Sequence, residues 1–315
     1  MAPEISAVIC THNRASYLSK AVDSLDRQSL PASRYEVIVV DNCSSDGTRE
    51  LIARREEEME NLRYLFEPVL GLSAARNRGL SEAKGTYVAY LDDDAVADPD
   101  WLEWGIRVHE ERGGKLGFLG GRVRPIWGTE RPAWLSDDLL PFLSIADLGE
   151  APIEVGGASG LVGASMVFRR RALQDAGGFP EALGRKGTSL LSNEELQLKK
   201  RLQQKGLVSL YHPNVAVSHH VVAVRTTKPW FRRRLYWQGR SDAVWWRIDT
   251  RASSWHRAKR VATTSVAVVK AIAEWLLYST LRRERGLSFS KECRVLMAFG
   301  HLAGLLLSHH PGGGG

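Results

Sequence analysis

Two periods of apolar residues alternate along roughly the first 100 positions. "ISAVIC" (Ile5–Cys10) is a short apolar run suited to a strand. Leu18, Ala21, Val22 and Leu25 then recur at helical spacing, and Pro31 follows where that helix must end. "YEVIVVDN" is a second apolar strand closing on an acid, "SSDGTRELIARREEEME" a helix with a Ser/Asp start, and "NLRYLF" a third strand. Ser73 can cap a helix over "SAARNRGLSEAKG" that Gly85 ends, and "TYVAYL" is a fourth strand. Strands apolar on both faces, separated by helices, predict an α/β fold with a mostly parallel sheet covered by helices. Polar residues collect where strands end, at Thr11-His12-Asn13-Arg14, Asp41-Asn42 and Asp92-Asp93-Asp94. In an open α/β sheet those ends share one rim, where ligands bind.

The pattern then becomes more mixed. Residues 128–160 read as a long excursion containing Pro132, Trp134 and Pro141. "GASMVFRRRALQDAGGF" predicts a strand and a short helix. "SNEELQLKKRLQQKG" predicts a helix capped by Ser192 or Asn193 and stopped by Gly206, and "LVSLYHPNVAVSHH" a returning strand. After Val221 the text turns basic, Trp-rich and helical. The expected division is a catalytic-size domain over 1–222, a helical C-terminal region over 223–310 and a disordered tail over 311–315.

Charge sharpens that division. The formal +7 is concentrated between Arg225 and Arg260, where eleven Lys/Arg face only Asp242 and Asp249, so the remainder is slightly acidic. Five of the ten Trp lie there too: Trp230, Trp237, Trp245, Trp246 and Trp255. Basic residues interleaved with Trp point to an anionic surface, lipid headgroups or nucleic acid. No recognised nucleic-acid module accompanies them, so a nucleic-acid partner is not expected. The apolar runs from Ser265 and Val295 are interrupted by Lys270 and Glu274, or short, and read as amphipathic or in-plane helices. They predict peripheral membrane contact, with packing on the catalytic domain or homo-oligomerisation as the alternative. Three cysteines without metal spacing fit a reducing compartment, and no basic segment followed by an apolar one marks a secretory signal. The expected location is the cytoplasm, on the inner face of the cell membrane.

The chemistry sits at the predicted rim. Asp92 and Asp94 straddle one residue, so an extended backbone puts both on one face, able to hold Mg²⁺ or Mn²⁺ against a diphosphate. A solvated acidic turn is the alternative. Glu194 and Glu195 occupy the first turn of a helix, where the dipole alone favours acids. Arg76 and Arg78 could be surface charges or phosphate partners. No G-x-G-x-x-G follows the first strand, and neither a P-loop nor a G-x-S-x-G elbow is present.

Taken together these stretches resemble the family 2 inverting glycosyltransferases, which have the GT-A fold, over residues 4 to 222. "THNR" resembles the family's T-x-N-R opening at the nucleotide base, and "VVDNCSSDGT" its V-V-D-x-x-S-x-D-x-T element. "GLSAARNRGLSEAKGTYVAYLDDDAVADPDWL" is close to the family signature that runs through A-R-N and D-x-D. "GASMVFRRRALQDAGGFPEAL" resembles the segment lining the sugar and acceptor, and "NEELQLKKRLQQKG" the E-D-x-[DE]-L-x-x-R-L-x-x-x-G helix. The resemblance implies nucleotide contacts from Thr11, Asn13, Arg14, Asp41, Arg76, Asp92 and Asp93. It implies a Mn²⁺ or Mg²⁺ site of Asp94, Asp92 and His219, the last fitting "NVAVSHHV" better than His220. Glu195 falls at the catalytic base, as Glu where the family has Asp, with Glu194 beside it, and Gln197 replaces a second acid. Gly163, Ala164, Ser165 and Trp127 are placed at the sugar and acceptor. The implied reaction moves a sugar from a nucleotide-diphosphate sugar, UDP-linked, to a hydroxyl of a glycan or polyprenyl-linked acceptor in polysaccharide assembly. An unperturbed Glu is a weak base, so Glu195 is expected to have a raised pKa. An inactive sugar-nucleotide-binding scaffold and a nucleotidyltransferase are the competing functions.

Overall fold

The computed structural model describes residues 2–157, 160–250, 253–282 and 285–307. The expected tail 311–315 lies outside the described residues. The chain forms two compact units. The first comprises Met1–Ile126, Ser144–Glu181 and Glu194–His220; the second comprises Trp127–Leu143, Ala182–Asn193 and Val221–Gly315.

The first unit is built on a mixed nine-stranded sheet. In chain order its elements are β1 (Ile5–Thr11), α1 (Ala15–Asp26), β2 (Tyr35–Asp41), α2 (Thr48–Glu58), β3 (Leu62–Phe66), α3 (Leu72–Glu82), β4 (Tyr87–Asp92), β5 (Ala95–Ala97) and α4 (Trp101–Arg112). There follow β6 (Leu116–Trp127), β7 (Ile153–Glu154), β8 (Ser165–Arg169), α5 (Arg170–Asp175), α6 (Glu194–Gln204) and β9 (Val208–Val221). The strand order is β3-β2-β1-β4-β8-β6-β9-β5, with β7 against β9. β3, β2, β1 and β4 are mutually parallel, and β8 pairs antiparallel with β4 and β6.

The local causes are those the pattern predicts. Every residue of β2 is buried, as a strand covered on both faces requires. Leu18, Ala21, Val22 and Leu25 of α1 are fully enclosed. α3 starts at Leu72, following Gly71, one residue before the expected Ser73 cap. It lies so close to the sheet that a Cβ on Gly79 would come 2.5 Å from Val8 Cγ1. The core joins Val8, Val40, Tyr90, Phe118, Phe168 and Phe179 to Leu198 and Leu202 of α6. Those two leucines anchor α6 and set the position of its first turn.

The second unit contains α7 (Lys228–Thr250), α8 (Ser254–Leu277) and α9 (Arg285–Leu306). α7 and α9 meet at glycines, where a Cβ on Gly239 would stand 1.8 Å from the Met297 carbonyl oxygen. Trp134 packs edge-on against Phe231 and Phe289, with ring centroids 5.4 and 4.7 Å away. Ser290 Oγ donates to Asp138 at 2.5 Å. The segment 127–143 is thereby tied to α7 and α9.

Candidate active site

Strand register creates the rim. Thr11 lies beside Asp41 and Cys10 beside Asp92, so the residues that follow β1, β2 and β4 emerge along one edge. A tight turn carries Asp93 and Asp94 into β5, which pairs antiparallel with β9 so that Ala95 faces His219. The ligand atoms of Asp92, Asp94 and His219 lie within 4.8 Å of one another. His219 Nε2 is 2.9 Å from Asp94 Oδ1. Two carboxylates and an imidazole form a hard oxygen and nitrogen donor set whose chemistry fits Mn²⁺ or Mg²⁺. Of the two histidines, His219 joins this group, whereas the His220 ring packs against Tyr17 at 5.3 Å.

The other predicted rim residues hold the acids and each other. Arg14 pairs with Asp94 and, at 3.2 Å, with Asp93. The Thr11 hydroxyl donates to Asp93 at 2.9 Å. Burial, with Asp94 alongside, raises the Asp93 carboxyl to about 6 against the opposing pull of Arg14 and Thr11. Asn13 adopts φ +54°, and its side-chain oxygen accepts the Ser45 N–H at 2.7 Å, which joins the loops after β1 and β2. Asp41 is buried and accepts from the Ser44 N–H at 2.8 Å and the Tyr64 hydroxyl at 2.9 Å.

Arg76 is only 3% exposed. Its guanidinium donates to Glu194 at 2.8 Å and Asp92 at 3.3 Å, and lies over the Phe179 ring at 5.2 Å. Burial alone would favour the neutral form, but Glu194 and Asp92 more than offset it and keep Arg76 charged. One cation thus bridges the end of β4 and the start of α6.

Glu195 follows at the first turn of α6. Its residue is partly exposed, yet its Oε2 is buried and, among the described residues, has no hydrogen-bond partner; the same holds for Glu194 Oε2. Burial and the neighbouring Glu194 raise the Glu195 carboxyl to about 8, with Arg76 opposing. The expected upward shift is therefore present, with desolvation as its main cause. Gln197 is buried, and its side-chain oxygen accepts from Arg201 at 3.3 Å.

The predicted sugar and acceptor residues divide. Gly163 is partly exposed, with its carbonyl 3.4 Å from Arg76, whereas Ala164 is fully enclosed and accepts the Asp92 N–H through its carbonyl. Ser165 is 1% exposed and accepts the Trp101 indole N–H at 2.9 Å. Its side chain is committed to holding β8 against α4 and offers no surface to an acceptor. Trp127 is the last residue of β6 and the first of the segment assigned to the second unit. Sequence reasoning gave no role to Tyr64 or Phe179, which steady Asp41 and Arg76. Phe179 sits inside the quoted "GGF" stretch, but nothing in a linear pattern pairs it with Arg76.

Comparison with known proteins gives concordant results. The sequence model described as glycosyl transferase family 2 matches residues 6–177. The chain is 25% identical over 312 residues to a glucosyl-dolichyl phosphate glucuronosyltransferase of Haloferax volcanii, covering 96% of each protein. Its structure resembles the mannosyltransferase PcManGT from Pyrobaculum calidifontis, solved with GDP-Man and Mn²⁺, with a TM-score of 0.63 at 19% identity over 97% of this chain and 88% of that one. It also resembles S. aureus TarS 1–349 in complex with UDP-GlcNAc, with a TM-score of 0.54 at 17% identity over 94% and 89%.

Proposed function

The chain belongs to glycosyl transferase family 2 and is a glycosyltransferase with a GT-A fold, and from that premise we propose a metal-dependent, inverting transfer. The donor in this reading is a nucleotide-diphosphate sugar, UDP-linked, and the acceptor is a hydroxyl of a glycan or polyprenyl-linked saccharide. The observation that carries it is one buried guanidinium, Arg76, gripping both the Asp92 end of the Asp92–Asp94–His219 group and Glu194, the neighbour of Glu195. It couples a diphosphate-side charge cluster to a proton acceptor.

A divalent cation held by Asp92, Asp94 and His219 would supply positive charge to the departing diphosphate. The chain's own residues do the rest. Arg14 fixes the orientation of Asp94 through its ion pair. Arg76 balances the charge of Glu194, whereas among the described residues Glu195 has no cation bound to it, and its Oε2, like that of Glu194, has no hydrogen-bond partner. A buried acceptor oxygen without a partner requires an explanation, and an acceptor hydroxyl bound there supplies one. Glu195 takes that hydroxyl's proton as the oxygen attacks the anomeric carbon opposite the leaving group. A carboxyl whose pKa stands near 8 is a far stronger base than an ordinary glutamate.

The relative named for dolichyl phosphate supports a lipid-linked acceptor, and the TarS complex with UDP-GlcNAc supports a UDP donor. The mannosyltransferase solved with GDP-Man and Mn²⁺ supports the metal and makes GDP-sugars the first alternative to screen. The cytoplasm, at the inner membrane face, is the location this chemistry suits. The test is a panel of nucleotide sugars with Mn²⁺, read by nucleotide released and by thermal shift with Mn²⁺ plus UDP. Glu195→Gln is expected to lower turnover by about 10²–10⁴-fold while leaving the Mn²⁺·UDP shift intact, and Asp94→Asn to abolish that shift. Full activity of Glu195→Gln would sink the base assignment. Release of pyrophosphate would indicate nucleotidyl transfer, and nucleotide binding with no release at all would indicate a scaffold.

A further inference from the structure

α8 has two apolar stripes where a helix of a folded unit ordinarily has one. Thr264 and Val268 lie on its inner stripe, which is buried, and α8 packs against α9. A second stripe faces outward. Trp255, Ala262, Val266, Val269, Ala273 and Leu276 recur three, four or seven residues apart and are all exposed. Trp255, Val266 and Val269 are 66, 69 and 67% accessible, and Leu276 and Leu277 about half so. Over Ser254–Thr280 the most apolar 18-residue window has a mean hydropathy of 1.4, yet only 11% of it is buried. A helix apolar on two sides and covered on one is incomplete as it stands.

The charges beside the stripe identify what covers it. Lys259 and Lys270 are exposed and, by helical spacing, border the stripe, whereas Arg260 lies over the Trp246 ring of α7 at 5.8 Å; the one acid of α8, Glu274, is already bound by Lys291 at 3.1 Å. Lys259 lies over the Trp255 ring at 5.4 Å, so the indole and a cation share the start of the stripe. A second copy of this chain docking stripe to stripe would bring basic flanks against basic flanks. An anionic bilayer surface meets both features, because lysines flanking an apolar face extend their stems along it and set their ammonium groups among phosphates. Lys270 and Glu274, within the helix's own length, favour an in-plane position over a crossing one.

We propose that the outward stripe of α8 is a membrane-docking surface, lying in the plane of an anionic leaflet with Trp255, Val266, Val269 and Leu276 inserted. This deepens the peripheral-membrane part of the proposed function and rests on that part alone, not on the transfer chemistry. Its test uses the purified full chain with vesicles of phosphatidylcholine, with and without phosphatidylglycerol, in a flotation assay. The wild type is expected to float with the anionic vesicles at about 0.1 M salt and to be largely released at about 0.5 M. Val266→Asp/Val269→Asp is expected to weaken binding at least about tenfold, with an unchanged melting temperature because both residues are exposed. Should that double variant fail to fold, Lys259→Glu/Lys270→Glu gives the same reading through lost anionic preference. No flotation by the wild type, retention after the salt and an alkaline wash as for a spanning helix, or a dimer that the Val variant dissolves would each overturn the proposal. The Mn²⁺·UDP thermal shift, measured on the same samples, reports separately on the catalytic reading.

Discussion

Glu195 is a carboxyl that folding discourages from ionising. Its pKa stands at about 8 against an ordinary 4.5, from burial first and Glu194 second. A carboxyl with a raised folded-state pKa contributes stability that is fully present below its unfolded value and lost as pH rises through the folded one. For Glu195 that window runs from about 4.5 to about 8, and the loss is on the order of 2–4 kcal/mol. Glutamine resembles the protonated form and does not titrate. Glu195→Gln is therefore expected to match wild-type stability near pH 4.5 and to exceed it by an amount of that order at pH 9. Urea melts at the two values measure the difference, and equal gaps at both would refute it. The proposed role as general base runs the other way, since a base works only when ionised. Wild-type kcat/KM is expected to climb between about pH 7 and 9, so the residue that weakens the fold at high pH is the one that speeds the reaction there.

The element that carries this residue begins from an unusual point. Asn193 adopts φ +78°, a region in which Asn is tolerated better than most side chains. Its amide is held on both sides: Nδ2 donates to Asp242 at 2.7 Å, and Oδ1 accepts from Gln238 at 2.8 Å. The Ser192 N–H donates to Ser241 Oγ at 3.0 Å. Three residues of α7 thus fix the backbone immediately before Glu194. Asn193→Ala loses both the bonds and the tolerance for positive φ, and is expected to destabilise by about 2–4 kcal/mol. Asn193→Gly keeps the φ and loses only the bonds, and is expected to fall between. Hydrogen exchange over residues 194–198, with urea melts beside it, reads both effects; Ala and Gly variants indistinguishable from wild type would remove the role. None of this was visible in the linear pattern, which read Ser192 or Asn193 simply as a helix cap. The first four strands and their helices were legible because burial on both faces leaves a continuous apolar run, and α1 shows its stripe directly. Asp92, Asp94 and His219 were legible through resemblance to family motifs. Arg76 was legible as a charged residue of a motif, but its grip on Glu194, 118 positions away, is a product of tertiary packing. For Ser165 the family resemblance implies a place at the sugar or acceptor, but packing encloses the residue and its hydroxyl accepts from Trp101.

At the scale of the whole molecule, the chain passes between the two units at residues 126, 143, 181, 193 and 220 before ending in the second. A boundary drawn at 222 follows only the last of these passages. The second unit also includes 127–143 and 182–193, and the C-terminal helices cover both segments. Trp134 packs against Phe231 and Phe289, and Ser192 and Asn193 are bonded to α7. A chain truncated after Val222 would retain Asp92, Asp94, His219 and Glu195, the complete set proposed for catalysis. It would also leave 127–143 without its aromatic partners and 182–193 without its hydrogen bonds, the latter leading directly into Glu194. The division at 222 assigns the whole catalytic domain to such a fragment, whereas the packing predicts that the fragment is not active. The fragment 1–222 is expected to melt at a temperature at least about 10 °C below the full chain, more than about 3 kcal/mol for a domain of this size, and to show no measurable transfer. Calorimetry and nucleotide release decide between the two views: a fragment with the full chain's melting temperature and turnover would show that the C-terminal helices are dispensable to the site.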